Sequence, residues 1–105
     1  MFRNYRRYRR YSVLARAMIV RRDDGSPGKL PAQINTISQG GLGFYTGVLL
    51  EKSTPVFVEL LDSVFGGIGV FEGRIASVCP VGDNYFTGVA FDTDISYERF
   101  VEIIS

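Results

Sequence analysis

The sequence predicts an all-β fold, a small six-stranded antiparallel β-barrel closed by a C-terminal α-helix. Three observations lead there. Short β-patterned segments recur at tight spacing with turn residues between them. The tail changes from a two-residue to a helical period. A chain of 105 residues is long enough for one domain with one modest core. The expected organisation is a flexible arginine-rich arm over residues 1–12, then a barrel over 13–105 with its helix at about 95–104.

The first strand is expected over Val13–Arg21, rich in β-branched and apolar residues. The run DDGSPGK at 23–29 follows, and its Asp, Gly, Ser and Pro content marks a turn. The second strand, Leu30–Ser38, places Leu30, Ala32 and Ile34 on one face and Gln33 and Asn35 on the other. The next large apolar residue is Ile37, so the parity slips. A β-bulge near Asn35–Thr36 accounts for the slip, because one extra residue re-aims every side chain beyond it.

Gly40-Gly41-Leu42-Gly43-Phe44-Tyr45 opens the third strand. Its glycines mark either a positive φ or a close approach to the backbone. Their spacing does not fit GxGxxG and no helix signal follows, which argues against a dinucleotide loop. Thr54–Leu61 reads as the fourth strand. Gly69–Val78 reads as the fifth, with Val70, Glu72, Arg74 and Ala76 on one face. Gly82-Asp83-Asn84 is a turn, and Tyr85–Phe91 the sixth strand. Tyr97, Phe100, Val101 and Ile104 then form one helical stripe, with Asp94 as the expected N-cap.

Charge is divided unevenly along this framework. The first twenty-two residues hold eight of the twelve Lys+Arg, all arginine, and no acidic residue. The remaining eighty-three carry four basic and eleven acidic residues. A net charge of +1 therefore conceals a basic segment on an acidic body. Arginine offers a planar fork that pairs bidentately with phosphate and with the O6/N7 edge of guanine, and it stacks on aromatic faces. The tyrosines at 5, 8 and 11 add stacking surface.

The chain has no histidine, hence no usual general base or zinc ligand, and we expect no enzyme and no metal or cofactor. The single cysteine, Cys79, excludes an internal disulfide and fits a reducing compartment. It reads as a small strand residue. No apolar run approaches a membrane span and no secretory h-region follows the N-terminal charges, so the expected location is cytoplasmic.

Several motifs now stand in order. Arg6-Arg7-Tyr8-Arg9-Arg10 contains RxxxR between Arg6 and Arg10. Thr36-Ile37-Ser38-Gln39-Gly40-Gly41 follows at a strand end. Phe71-Glu72-Gly73-Arg74-Ile75 and Tyr85-Phe86-Thr87-Gly88-Val89-Ala90-Phe91 complete the set. Together they resemble the PilZ domain family, bacterial receptors for cyclic di-GMP built on a split β-barrel. The family's pattern is RxxxR, then [D/N]xSxxG, then a GxV/I strand and a YxxGV/IxF strand. The resemblance spans about residues 5 to 104.

The resemblance implies that Arg6 and Arg10 contact phosphates and guanine edges, with Arg9 as an extra contact. Arg3 and Arg7 fit the spacing too, but Arg10 lies directly before the first strand, where the family's second arginine sits. Ser38, Gly40 and Gly41 fall in the second motif, which in the family holds a guanine. Thr36 stands where the family has Asp or Asn, with Asn35 beside it as a helper. A hydroxyl offers one group where an amide or carboxylate offers two, at a cost of about 1–3 kcal/mol.

The function so implied is a cyclic di-GMP receptor that orders its arginine arm on binding and relays the signal to a downstream protein effector, in motility or biofilm control. A monomer or weak dimer is expected, with no DNA partner. The alternative is a PilZ-type module that binds no nucleotide and acts through protein contacts, as in pilus or motility regulation. A barrel binding single-stranded nucleic acid through the basic aromatic arm is a third reading.

Overall fold

The computed structural model of the chain describes residues 8–25, 28–61 and 70–104. Six strands and one helix follow in order: β1 Tyr11–Arg21, β2 Lys29–Ser38, β3 Gly41–Thr46, β4 Pro55–Leu60, β5 Val70–Val81, β6 Asn84–Phe91 and α1 Tyr97–Ile104. The strands close into an antiparallel barrel in the order β1-β2-β3-β6-β5-β4, and β1 pairs with β4 to seal it. All-β class, strand number and terminal helix agree with the sequence reading.

Closure follows from alternation. Along β3, Leu42, Phe44 and Thr46 are buried while Tyr45 is exposed. Along β4, Val56 and Val58 are buried and Glu59 exposed. Each strand thus gives one face to a common interior, filled by Ala17, Ile19, Ile34, Ile37, Phe44 and their neighbours. Apolar burial at about 25 cal/mol per Å² is the main stabilising term.

The expected bulge is present. The β1–β2 register moves from Ala15↔Ile34 to Ser12↔Thr36, and the β2–β3 register shifts between Ile34 and Thr36. As a result Ile34 and Ile37, three residues apart, both face the core. The β5–β6 hairpin turns at Gly82, whose φ of 60° opens a two-residue turn that a residue with a β-carbon adopts only with strain.

Several boundaries differ from the sequence reading, among them the end of β5, which runs to Val81 rather than Val78. β1 begins at Tyr11, so the last two residues assigned to the arm are already strand. The helix begins at Tyr97, and its N-cap is Ser96, whose hydroxyl accepts a hydrogen bond from the Arg99 amide at 3.3 Å. Asp94 is engaged elsewhere, accepting a 2.6 Å bond from the Tyr8 hydroxyl. The helix phase also differs. Phe100 is buried and Ile103 packs on the core, but Tyr97 is 66% exposed. Ile95, just before the helix, takes the place expected of Tyr97 and is itself buried.

A polar clamp joins the far end of β1 to β5 and β6. Arg22 Nη1 donates to Asp92 Oδ2 at 2.9 Å and to the Gly73 carbonyl at 3.4 Å, and its guanidinium lies 5.4 Å from the Phe57 ring centre. Arg22→Ala is expected to lower stability by about 1–2 kcal/mol, measured by urea unfolding. A change within about 0.5 kcal/mol would mean that water replaces these contacts.

Candidate functional site

The bulge decides what the outer wall of the barrel presents. Beyond it, Thr36 and Ser38 face away from the core side chains Ile34 and Ile37. Thr36 pairs with Gly43, Gly43 with Gly88, and Gly88 with Ser77. Ser38 pairs with Gly41, Gly41 with Ala90, and Ala90 with Arg74. Two rows across β2, β3, β6 and β5 thus carry nothing larger than threonine except Arg74, at the β5 end of the second row. The result is a recess of about 530 Å³ on the barrel wall. Phe86 forms one side of it, its ring tilted at 4.8 Å against Tyr45. A methyl added at Gly43 would stand 2.5 Å from the tip of that ring.

The β2–β3 turn forms the end of the recess nearest β1. The Ser38 hydroxyl donates to the Gly41 carbonyl at 3.4 Å and accepts from the Gly40 amide at 3.2 Å. Ser38 is therefore first a turn former. Its hydroxyl has one acceptor lone pair left for another partner. Neither Gly40 nor Gly41 has a positive φ. Close approach is what they provide. A methyl at Gly41 would collide with the Val89 carbonyl oxygen, and one at Gly40 would stand 3.2 Å from the Tyr8 ring. The turn is bonded to the segment before α1: Ile95 N–H donates to the Gln39 carbonyl at 2.8 Å, and Gln39 Nε2 donates back to the Ile95 carbonyl at 3.0 Å. Phe91 N–H adds a 2.9 Å bond to the Gly40 carbonyl.

The structure brings Arg10, Thr36, Ser38, Gly40 and Gly41 together around this one recess. Arg9 is exposed, with its guanidinium 5.7 Å from the Tyr11 ring centre, and does not line it. Arg6, with Arg3 and Arg7, lies outside the described residues. Asn35 is not at the recess either. It occupies the bulge, and its side-chain oxygen is buried with no hydrogen-bond partner among the described residues. Between the two candidates of the second motif, Thr36 is the one on the outer wall.

Reading the sequence alone missed the opposite end, formed by Lys52, Ala76 and Ser77. Among the described residues, Arg10 and Lys52 are the charged members of the lining and no carboxylate belongs to it, even though the body of the chain is acidic. The wall is thus suited to an anionic ligand with flat, polar-edged groups. The ionisation shifts resolved among the described residues lie elsewhere. Arg21 holds the Asp23 carboxyl below the usual carboxylate range through a side-chain hydrogen bond, with the Gly25 amide adding to it. Among the described residues, no helix is long and apolar enough to cross a membrane.

Comparison with known proteins gives this geometry a context. The PilZ domain profile matches residues 4–104. No curated protein matches the sequence. Among solved structures, the PilZ domain of YcgR from Escherichia coli, determined with c-di-GMP, has a TM-score of 0.67 at 17% identity, over 93% of this chain and 85% of that one. The K. pneumonia MrkH–c-di-GMP complex gives 0.66 at 17% identity, over 93% and 48%. The Bacillus subtilis inhibitor of motility MotI/DgrA gives 0.67 at 8% identity, over 93% and 47%. The chain spans about half the length of the last two. At such identities the likeness to these structures is one of fold. The family profile, covering nearly the whole chain, carries more: the chain belongs to the PilZ domain family.

Proposed function

We propose that this chain is a receptor for cyclic di-GMP, and that ligand pins the N-terminal arginines onto the barrel beside Ser38 to present a new surface to a protein effector. The observation that carries this reading is the convergence on one recess of Arg10, from the first motif, and Thr36, Ser38, Gly40 and Gly41, from the second. The ligand has two phosphates and two guanine edges, and arginine satisfies both kinds of group. Two of the fold neighbours were determined with c-di-GMP, which supports the same assignment. The role is one of binding rather than catalysis, and a motility output finds a parallel in the inhibitor of motility that shares the fold.

Thr36 favours a second reading, in which the module has lost nucleotide and retains only protein contacts. Its single hydroxyl replaces a bidentate group, a loss of about tenfold or more in affinity.

Calorimetric titration of the purified chain with cyclic di-GMP separates the two. The expected result is micromolar or tighter binding, abolished by Arg10→Ala, with GTP silent. A flat titration of folded protein overturns the receptor reading and leaves the protein-contact module.

A further inference from the structure

The end of the recess nearest β5 is a built feature whose Lys52 and Ser77 lie outside all four family motifs. Glu51–Thr54 forms a tight turn, closed by the Thr54 N–H to the Glu51 carbonyl at 3.2 Å. Within it Ser53 has a φ of 73°, a left-handed conformation that is costly for a residue with a β-carbon. The surrounding bonds hold it there. Ser53 N–H donates to the Ile75 carbonyl at 2.7 Å, Ile75 N–H returns a bond to the Thr54 carbonyl at 2.9 Å, and Arg74 Nη1 donates to the Ser53 carbonyl at 3.3 Å. Strain fixed by several bonds at the rim of a recess points to a functional position.

What the turn positions is Lys52. Lys52 lines the recess and has no ion-pair partner among the described residues. Below it, the β5–β6 register shifts between Ile75 and Ser77, and this second bulge brings both Ala76 and Ser77 to the recess. The Ser77 hydroxyl lies 2.6 Å from where a β-carbon on Gly88 would stand, so it overlies the floor.

The two cations enter from opposite sides. Arg10 precedes Tyr11, which pairs with Ile37 of β2, whereas the Lys52 turn is bonded to β5. From β2 across β3 and β6 to β5 is three strand spacings, about 14 Å. A ligand that meets both cations needs anionic groups on both of its sides.

We propose that Lys52 and Ser77 are the second contact point of the nucleotide site. Lys52 counters a phosphate, and Ser77 hydrogen-bonds the polar edge of a base or ribose lying over Gly88, so that the ligand bridges Arg10 and Lys52. This rests on the receptor reading above and adds to it the residues that select a two-phosphate ligand.

The test is titration of the full chain with cyclic di-GMP at two salt concentrations, using wild type, Lys52→Glu, Lys52→Arg and Arg10→Ala. Lys52→Glu is expected to weaken binding at least about tenfold and to flatten the salt dependence, with an unchanged unfolding midpoint. Lys52→Arg is expected to stay within about twofold of wild type, because the charge is kept. If Lys52→Glu binds like wild type while Arg10→Ala does not bind, the second contact point is wrong and the receptor reading stands. If wild type itself fails to bind, both fall.

Discussion

Gly41→Ala is expected to destabilise the barrel by about 3 kcal/mol and to abolish binding in the recess. The cause is backbone against backbone. Gly41 opens β3 and pairs with Ala90 of β6, and the added methyl would meet the Val89 carbonyl oxygen, which has no rotamer to escape into. Relief requires β3 to lift from β6 or the Gln39–Gly40 turn to shift. Either movement carries Ser38 with it, since the Ser38 hydroxyl is bonded to the Gly41 carbonyl and the Gly40 amide. The turn is also tied to Phe91 and Ile95, so its displacement loosens the seat of α1. Urea unfolding and titration of the same preparation read both effects. Wild-type values for both would show that the β3–β6 spacing has slack and that the motif's glycine serves another purpose.

Much of this was legible in the chain, and the parts that were not share a cause. The six strands, the terminal helix and the Asn35–Thr36 bulge follow from local patterns, the bulge from the three-residue step between the apolar residues Ile34 and Ile37. The same step recurs between Ile75 and Val78, where the structure has its second bulge. It was hidden by the regular Val70, Glu72, Arg74, Ala76 face that precedes it, and with it went Ser77. Lys52 left no local signal. Its place at the recess depends on barrel closure, which sets the β3–β4 connection against β5. The helix phase was missed for a similar reason. The Ile95 amide is used by Gln39, a residue far away in sequence, so the helix starts two residues later and Tyr97 turns to solvent. Within the arginine run, the RxxxR spacing marked Arg6 and Arg10, with Arg9 as an extra contact. What distinguishes Arg9 from Arg10 is their placement ahead of β1: Arg10 lines the recess, whereas the Arg9 guanidinium lies beside the Tyr11 ring.

Phe44→Ala is expected to cost about 3–5 kcal/mol of stability while leaving the affinity of each folded molecule unchanged. Phe44 is fully buried and is the largest of the side chains with essentially no exposure. It sits between Ile34 of β2 and Thr87 of β6, in the middle of the interior. A domain of this size has about 5–15 kcal/mol in total, so the loss is a large fraction of what holds it folded. Its neighbour Gly43 faces the recess, one residue away on the other side of the same strand. Strand alternation thus makes β3 a partition, with the core's largest anchor on one face and the floor of the site on the other. Titration at low temperature, normalised to the folded fraction from an unfolding curve, isolates the two faces. An affinity that falls along with stability would mean that the cavity deforms the floor through the β3 backbone, and that core and site are mechanically one unit.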